Sequence, residues 1–336
     1  YLAVGASIKM IKENGNPLII DGLLFCKWSR EIFESMHKGG LTSANCTAAM
    51  PYANIQDSLK SVAQFHKWLV DFDDIIRPVT STDDIWAAYR EKKVGIILGW
   101  QNTSGFDDYL PYIRLFRKLG LSVVQLTYNT MNSLGSGCLE AKDGGLSGFG
   151  YEFVEECNAA GVAIDLSHVG EVTADDVITH SAKPVAYTHV SPKALFDHAR
   201  NKSNEQMKKI ANKGGIVGVT MHPPFQRKGN QSNLDDYIYS IKHCIDVVGE
   251  DQVAIGTDFV TGHQHDTPEW DYLLRDKGHA RKLWEIGEIK YPPNFSSVAD
   301  YQNLLRAMEA HNWKSTRIEK ILGMNWIEFL KKAWGE

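Results

Sequence analysis

Short apolar runs alternate with longer amphipathic stretches along most of this chain. Eight runs read as buried strands, at 17–25, 40–48, 94–101, 122–128, 161–168, 184–189, 215–221 and 252–259. Between most of them the apolar spacing becomes helical, at 57–71, 83–91, 109–119, 149–160, 174–180, 204–212 and 235–248. Strands that are apolar throughout and separated by helices describe a parallel sheet covered on its outside. Eight such units place the chain in the α/β class as a (β/α)8 TIM-type barrel. A doubly wound sheet is the competing arrangement. No glycine-rich phosphate turn follows any strand, which weakens that alternative and speaks against a nucleotide cofactor. The stretch from 266 to 336 reads as a loop followed by extra C-terminal helices, the last an amphipathic packing helix over 321–336. One domain is expected over 1–336, with the barrel at about 17–262.

Composition narrows the partners. The 336 residues carry 36 basic and 41 acidic side chains, a formal charge of −5, so there is no basic footprint for nucleic acid. With 43% hydrophobic and 23% charged residues, the chain is globular in type, not disordered. Cys26, Cys46, Cys138, Cys157 and Cys244 form no CxxC pair, which argues against a disulfide framework or a zinc knuckle. No apolar run approaches the roughly 18–20 residues of a membrane span, so no membrane partner is expected. The cytoplasm is the expected compartment, and the start at Tyr1 leaves open whether a targeting segment precedes it.

In a barrel the chemistry gathers at the carboxyl ends of the strands. The polar residues expected there are Gln101, Tyr128, Asp165, His168, His189 and Asp258. Two histidines closing consecutive strands, with an aspartate closing the last, form a ligand set by type, since imidazole and carboxylate suit zinc or manganese. Asp165, three residues before His168, is expected to face the other way and anchor the barrel wall. His222 directly follows the seventh run, a place either at the pocket rim or, more commonly for a loop histidine, in solvent; His263 and His265 form a metal-like pair after the eighth run but are expected at the surface. The other seven, His37, His66, His180, His198, His243, His279 and His311, lie in helical or solvated stretches. Trp28, Trp100, Tyr128 and Phe259 are expected either to line an apolar pocket or to cap the core.

At these same residues the chain resembles the renal or membrane dipeptidase family, peptidase family M19 of the amidohydrolase superfamily. GLSGFGYEFVEECNAAGVAIDLSHVG (145–170) and SAKPVAYTHVSPKALFDHARN (181–201) resemble its two histidine blocks, and GGIVGVTM, VAIGTDFVTG and GMNW follow in the family's order. The resemblance implies dipeptide hydrolysis at a binuclear zinc centre. His168 and His189 would serve one metal, Asp258 would lie by the other and handle the proton, and Arg200 would hold the substrate carboxylate. It also implies a homodimer, common among bacterial members.

Four of the family's functional positions are changed here. The first strand reads Asp21-Gly22-Leu23-Leu24-Phe25-Cys26-Lys27, so Leu23 and Phe25 stand where the family places a histidine and an aspartate. Gln101 replaces its bridging glutamate and Tyr128 its substrate-binding histidine, each expected to contact substrate. Leucine and phenylalanine cannot coordinate, so the expectation is at most one zinc or other divalent ion. It would sit on His168 and His189 and be completed by Gln101, Asp258 or water. Leu23, Phe25 and Lys27 alternate along the strand, which would carry the Lys27 ammonium to Asp258 in place of a metal. The reading favoured by these residues is a dipeptidase-like hydrolase of a small carboxylate-bearing amide. Alternatives are metal-independent chemistry with Lys27, Tyr128 and Asp258 as acid–base groups (a lyase, isomerase or non-metal hydrolase), or a non-catalytic ligand-binding homologue.

Overall fold

A computed structural model describes residues 17–263 and 289–336. The strands are β1 (Ile20–Leu24), β2 (Ser43–Thr47), β3 (Ile76–Pro78), β4 (Val94–Trp100), β5 (Leu121–Gln125), β6 (Ala163–Asp165), β7 (Ala186–Val190), β8 (Ile216–Val219) and β9 (Val253–Ile255). All pairings are parallel, in the order β1-β2-β4-β5-β6-β7-β8-β9. A bridge from Leu24 to Phe259 brings the last strand back to the first, with Phe25 N donating to Phe259 O at 3.0 Å. The result is a nearly closed (β/α)8 TIM-type barrel, and each of the eight expected runs holds one of its strands.

The strand that patterning misses is β3. It pairs with residues 94–96 of β4, while β5 pairs with residues 98–100. Because β2 already occupies the other edge of β4, β3 and β5 share one edge in succession. Three residues ending in Pro78 are too few to show a period.

Helices α1 (Arg30–Gly39), α2 (Ile55–Asp71), α3 (Thr82–Glu91), α4 (Pro111–Lys118), α5 (Gly148–Ala160), α6 (Glu171–His180), α7 (Asn204–Asn212) and α8 (Leu234–Val248) surround the sheet. Side-chain caps start most of them: Ser29, Asn54, Ser81, Ser147, Ser203 and Asn233 each accept from a first-turn amide. Helix α1 lies outside the stretches where apolar spacing predicts a helix. Its signals were present, from the Ser29 cap through buried Ile32, Phe33 and Met36 to a left-handed stop at Gly40 (φ 80°).

The C-terminal stretch forms α9 (Tyr301–Ala310), α10 (Ser315–Glu319), a π turn at Lys320–Met324, and α11 (Asn325–Trp334). Helix α11 closes the amino-terminal end of the barrel. Its Trp326, Phe329, Leu330 and Trp334 pack on Ile20, Ile97, Val123, Ala163, Ala186, Ile216 and Ala254. Trp326 Nε1 donates to Ile255 O and Trp334 Nε1 to Ser122 O, each at 2.9 Å. Gly22 permits this fit, because a Cβ there would lie 2.4 Å from the Trp326 ring. No described helix is long and apolar enough to cross a membrane.

Candidate active site

The strands end earlier than their apolar runs suggest, so several candidate residues sit in the loops that follow. β6 stops at Asp165, three residues before His168, and β9 stops at Ile255, three before Asp258. Local chemistry explains both. Ser167 N donates back to Asp165 Oδ1 at 3.0 Å and turns the chain. Asp258 adopts a left-handed backbone (φ 58°), its N–H given to Leu23 O at 3.1 Å.

These turns bring His168 and His189 together, with Nε2 to Nε2 at 3.0 Å. Each ring is fixed from behind. His168 Nδ1 lies 2.7 Å from Asn129 Oδ1, and His189 Nδ1 lies 2.7 Å from Thr188 Oγ1. The Thr188 hydroxyl donates to Asp165 Oδ2 at 2.8 Å, so towards His189 it can only accept. Both imidazoles therefore hold their hydrogen on Nδ1, and both Nε2 lone pairs point into the same small space. An oxygen acceptor behind each ring is the arrangement that orients histidines as metal ligands. Asp165 does anchor the wall, taking bonds from the backbone and hydroxyl groups of Ser167 and Thr188.

Gln101 is held as firmly. Its Oε1 accepts from Thr47 Oγ1 at 3.1 Å, and its Nε2 meets His189 Nε2 at 3.2 Å. Tyr128 stacks on His168 (centroids 4.3 Å, 20°) and meets Tyr52 edge to face at 5.7 Å. Arg200 is fully buried, with Nη1 donating to Ser167 O and Nη2 to His189 O, both at 2.7 Å. The guanidinium thus clasps the two segments that carry the histidines, leaving its buried Nε unpartnered among the described residues.

Burial dominates the electrostatics. It holds His168 and His189 well below the ordinary imidazole range, and the Arg200 charge lowers both further. Burial likewise raises Asp258 to about 7; Arg200 opposes the shift, while Asp21 and Asp165 add to it. Tyr128 is raised by burial, then by Asp258.

One expected contact does not form. Lys27 is exposed, and among the described residues it makes no ion pair with Asp258. β1 ends at Leu24, and Lys27 lies beyond it with its N–H donated to Thr261 O at 2.9 Å, so strand alternation no longer directs the side chain. Leu23 and Phe25 are buried, and Phe25 stacks on His263 at 4.7 Å. Trp28, Trp100 and Phe259 join the main core, whereas Tyr128 packs with Phe25 and Tyr52 near the histidines. His265 and His279 lie outside the described residues.

Patterning also undervalued His222, which is buried and hydrogen-bonded at Nδ1 to the Tyr291 hydroxyl at 3.0 Å. Asn129, Thr188 and Tyr291 carry no motif of their own in the sequence. For the first two, adjacency to Tyr128 and His189 was the available signal; Tyr291 reaches the site from 33 positions beyond Asp258.

A family model of the membrane dipeptidases, peptidase family M19, matches residues 30–272. An uncharacterised dipeptidase of Schizosaccharomyces pombe is 27% identical over 291 residues, covering 84% of this chain and 64% of its own length. The chain thus spans less than two thirds of that relative. Among solved structures, an amidohydrolase from Pseudomonas aeruginosa is 44% identical with a TM-score of 0.92, over 95% of this chain and 97% of that one. A metallopeptidase of Rhodobacter sphaeroides, solved with a phosphinate mimic of L-Ala-D-Ala, has a TM-score of 0.77 at 19% identity, over 95% and 99% of the two chains. That second likeness speaks for the fold alone.

Proposed function

Because this chain belongs to the membrane dipeptidase family (peptidase family M19), we propose that it hydrolyses a dipeptide or amino-acid-derived amide at the carboxyl end of the barrel, with at most one divalent metal. The observation that carries the reading is the pair of Nε2 atoms facing each other at 3.0 Å, each ring locked with its hydrogen on Nδ1. Two opposed lone pairs repel unless a cation lies between them, and a divalent ion is one such cation.

A two-metal centre does not fit these residues. Leu23 and Phe25 carry no donor atom, and the neutral Gln101 amide is a poor bridge between two dications. Among the described residues no group of three or more His, Cys, Asp or Glu side chains is placed around one point. A single ion would be held by His168 and His189 and completed by water, since Asp258 is not grouped with the pair and Gln101 turns its amide nitrogen, not its oxygen, toward His189; such an ion polarises a carbonyl and acidifies bound water.

The chain's own residues supply the rest. Asp258, raised to about 7, holds or releases a proton near neutrality. Arg200 fixes both histidine segments and gives the site a buried positive charge that favours a substrate carboxylate. Tyr128 and Gln101 border the histidines and offer the substrate a ring face and an amide. A metal-independent acid–base reaction is the second reading, favoured by the Asp258 carboxyl, raised to about 7, at the same end of the barrel as two neutral imidazoles.

The test is metal analysis of protein purified without a histidine tag, paired with hydrolysis of a panel of dipeptides and N-acyl amino acids. About one equivalent, lost in His189→Ala together with turnover, is expected. Two equivalents would overturn the single-metal assignment; full turnover after chelation would favour the second reading. The homodimer implied by the resemblance is checked on the same protein by its mass in solution.

A further inference from the structure

A hydrogen-bonded bridge joins the segments that follow the neighbouring strands β8 and β9. The Tyr291 hydroxyl lies 3.0 Å from the backbone oxygen of Asp258 and 3.0 Å from His222 Nδ1. A phenol carries one hydrogen, and a carbonyl oxygen can only accept. Both bonds exist together only if Tyr291 donates to Asp258 O and His222 Nδ1–H donates to Tyr291. The bridge therefore places the hydrogen of His222 on Nδ1, the tautomer a free imidazole in water disfavours, and leaves Nε2 as the basic nitrogen.

The surroundings hold this arrangement. His222 N donates to Thr220 Oγ1 at 3.0 Å, and its ring rests against Phe225 at 5.3 Å. The Tyr291 ring meets Phe259 edge to face at 5.1 Å. On the other side, the bridge grips the carbonyl of Asp258, whose left-handed backbone (φ 58°) is costly for a non-glycine residue and persists only where its surroundings hold it. His189 lies near the end of β7, while His222 and Asp258 follow the ends of β8 and β9, three neighbouring strands of the barrel, so the bridge sits beside the histidine pair at the same rim.

We propose that His222 is a third functional imidazole of this site, with Nε2 as its base, and that Tyr291 is a positioning residue that sets the His222 tautomer and the Asp258 backbone together. The proposal rests on the hydrolase reading for its function, but not for its geometry. Long-range 1H–15N correlation spectra of the full-length, 15N-histidine-labelled protein read the tautomer directly, with His222→Gln identifying the His222 signals. The expected spectrum shows His222 with its hydrogen on Nδ1, moving towards the Nε2–H form in Tyr291→Phe. On the panel substrate that is turned over, both variants should lower kcat at least tenfold with KM within about threefold. A wild-type His222 in the Nε2–H form would overturn the proposal, as would an unchanged kcat in His222→Gln. If the wild type hydrolyses nothing, the hydrolase reading fails, while the spectrum still decides the bridge.

Discussion

At the amino-terminal end of the barrel, Trp326, Phe329 and Leu330 fill the floor with apolar atoms, and the Trp326 indole hydrogen is given to a strand carbonyl. At the carboxyl end, Asp165, His168, His189, Arg200, His222 and Asp258 are equally buried, yet almost every contact is a directed polar one. The same eight strands thus end in an apolar plug on one side and a polar lattice on the other. Burial at the floor stabilises the fold directly. Burial at the mouth shifts protonation and fixes tautomers at some cost in stability, which is how barrels separate stability from chemistry.

Trp326→Ala tests the floor. Removing the indole, which packs closely on Gly22 and lies 3.1 Å from where a Cβ at Gly218 would sit, should lower stability by about 3–5 kcal/mol in urea unfolding while leaving the His222 tautomer unchanged. A loss under about 1 kcal/mol would mean that the floor repacks.

The mouth should instead betray itself through pH. Burial lowers Lys202 to about 8, with its Nζ donated to Val169 O at 2.7 Å. A depressed lysine binds fewer protons in the folded state. Its contribution is full above about 10.5 and is lost as pH falls through about 8, so stability should rise by roughly 3 kcal/mol over that span. Lys202→Met should flatten the alkaline limb of the stability profile, and an unchanged slope would assign it elsewhere.

Asp165→Asn sets a polar anchor against the apolar one. The amide cannot accept all the bonds now given by Ser167 and Thr188, so about 2 kcal/mol should be lost. The hydrogen on His189 Nδ1 should also lose its fixed position, read by the same nitrogen spectra. Smallest of all is Lys27→Met. The side chain is exposed and outside both ends, so stability should change by under about 0.5 kcal/mol and turnover should stay at the wild-type level. Loss of activity there would revive the pairing with Asp258.

Much of this molecule is written in local patterns. Eight apolar runs specify the barrel because a strand buried on both faces must be apolar along its length, and caps such as Ser81 and Asn233 start helices through contacts within three residues. The candidates His168, His189, Asp258, Gln101 and Tyr128 are legible from residue type and position at strand ends, and Arg200 only through the family resemblance. β3 was not, because its three residues owe their pairing to the exposed edge of β4 before β5 begins.

What tertiary structure alone decided is orientation. Lys27 follows a buried strand by three positions and still faces solvent, because the strand stops at Leu24. His222 resembled a solvated loop histidine until Tyr291, 69 positions away, was brought within 3.0 Å. Arg200 meets two backbone carbonyls from segments 33 and 11 residues distant. Sequence determined which side chains this barrel can use and which metal ligands it cannot supply, since those follow from chemical type. Which nitrogen holds a hydrogen, and which cation meets which oxygen, depends on distances of about 3 Å between remote residues, and only the closed barrel sets them.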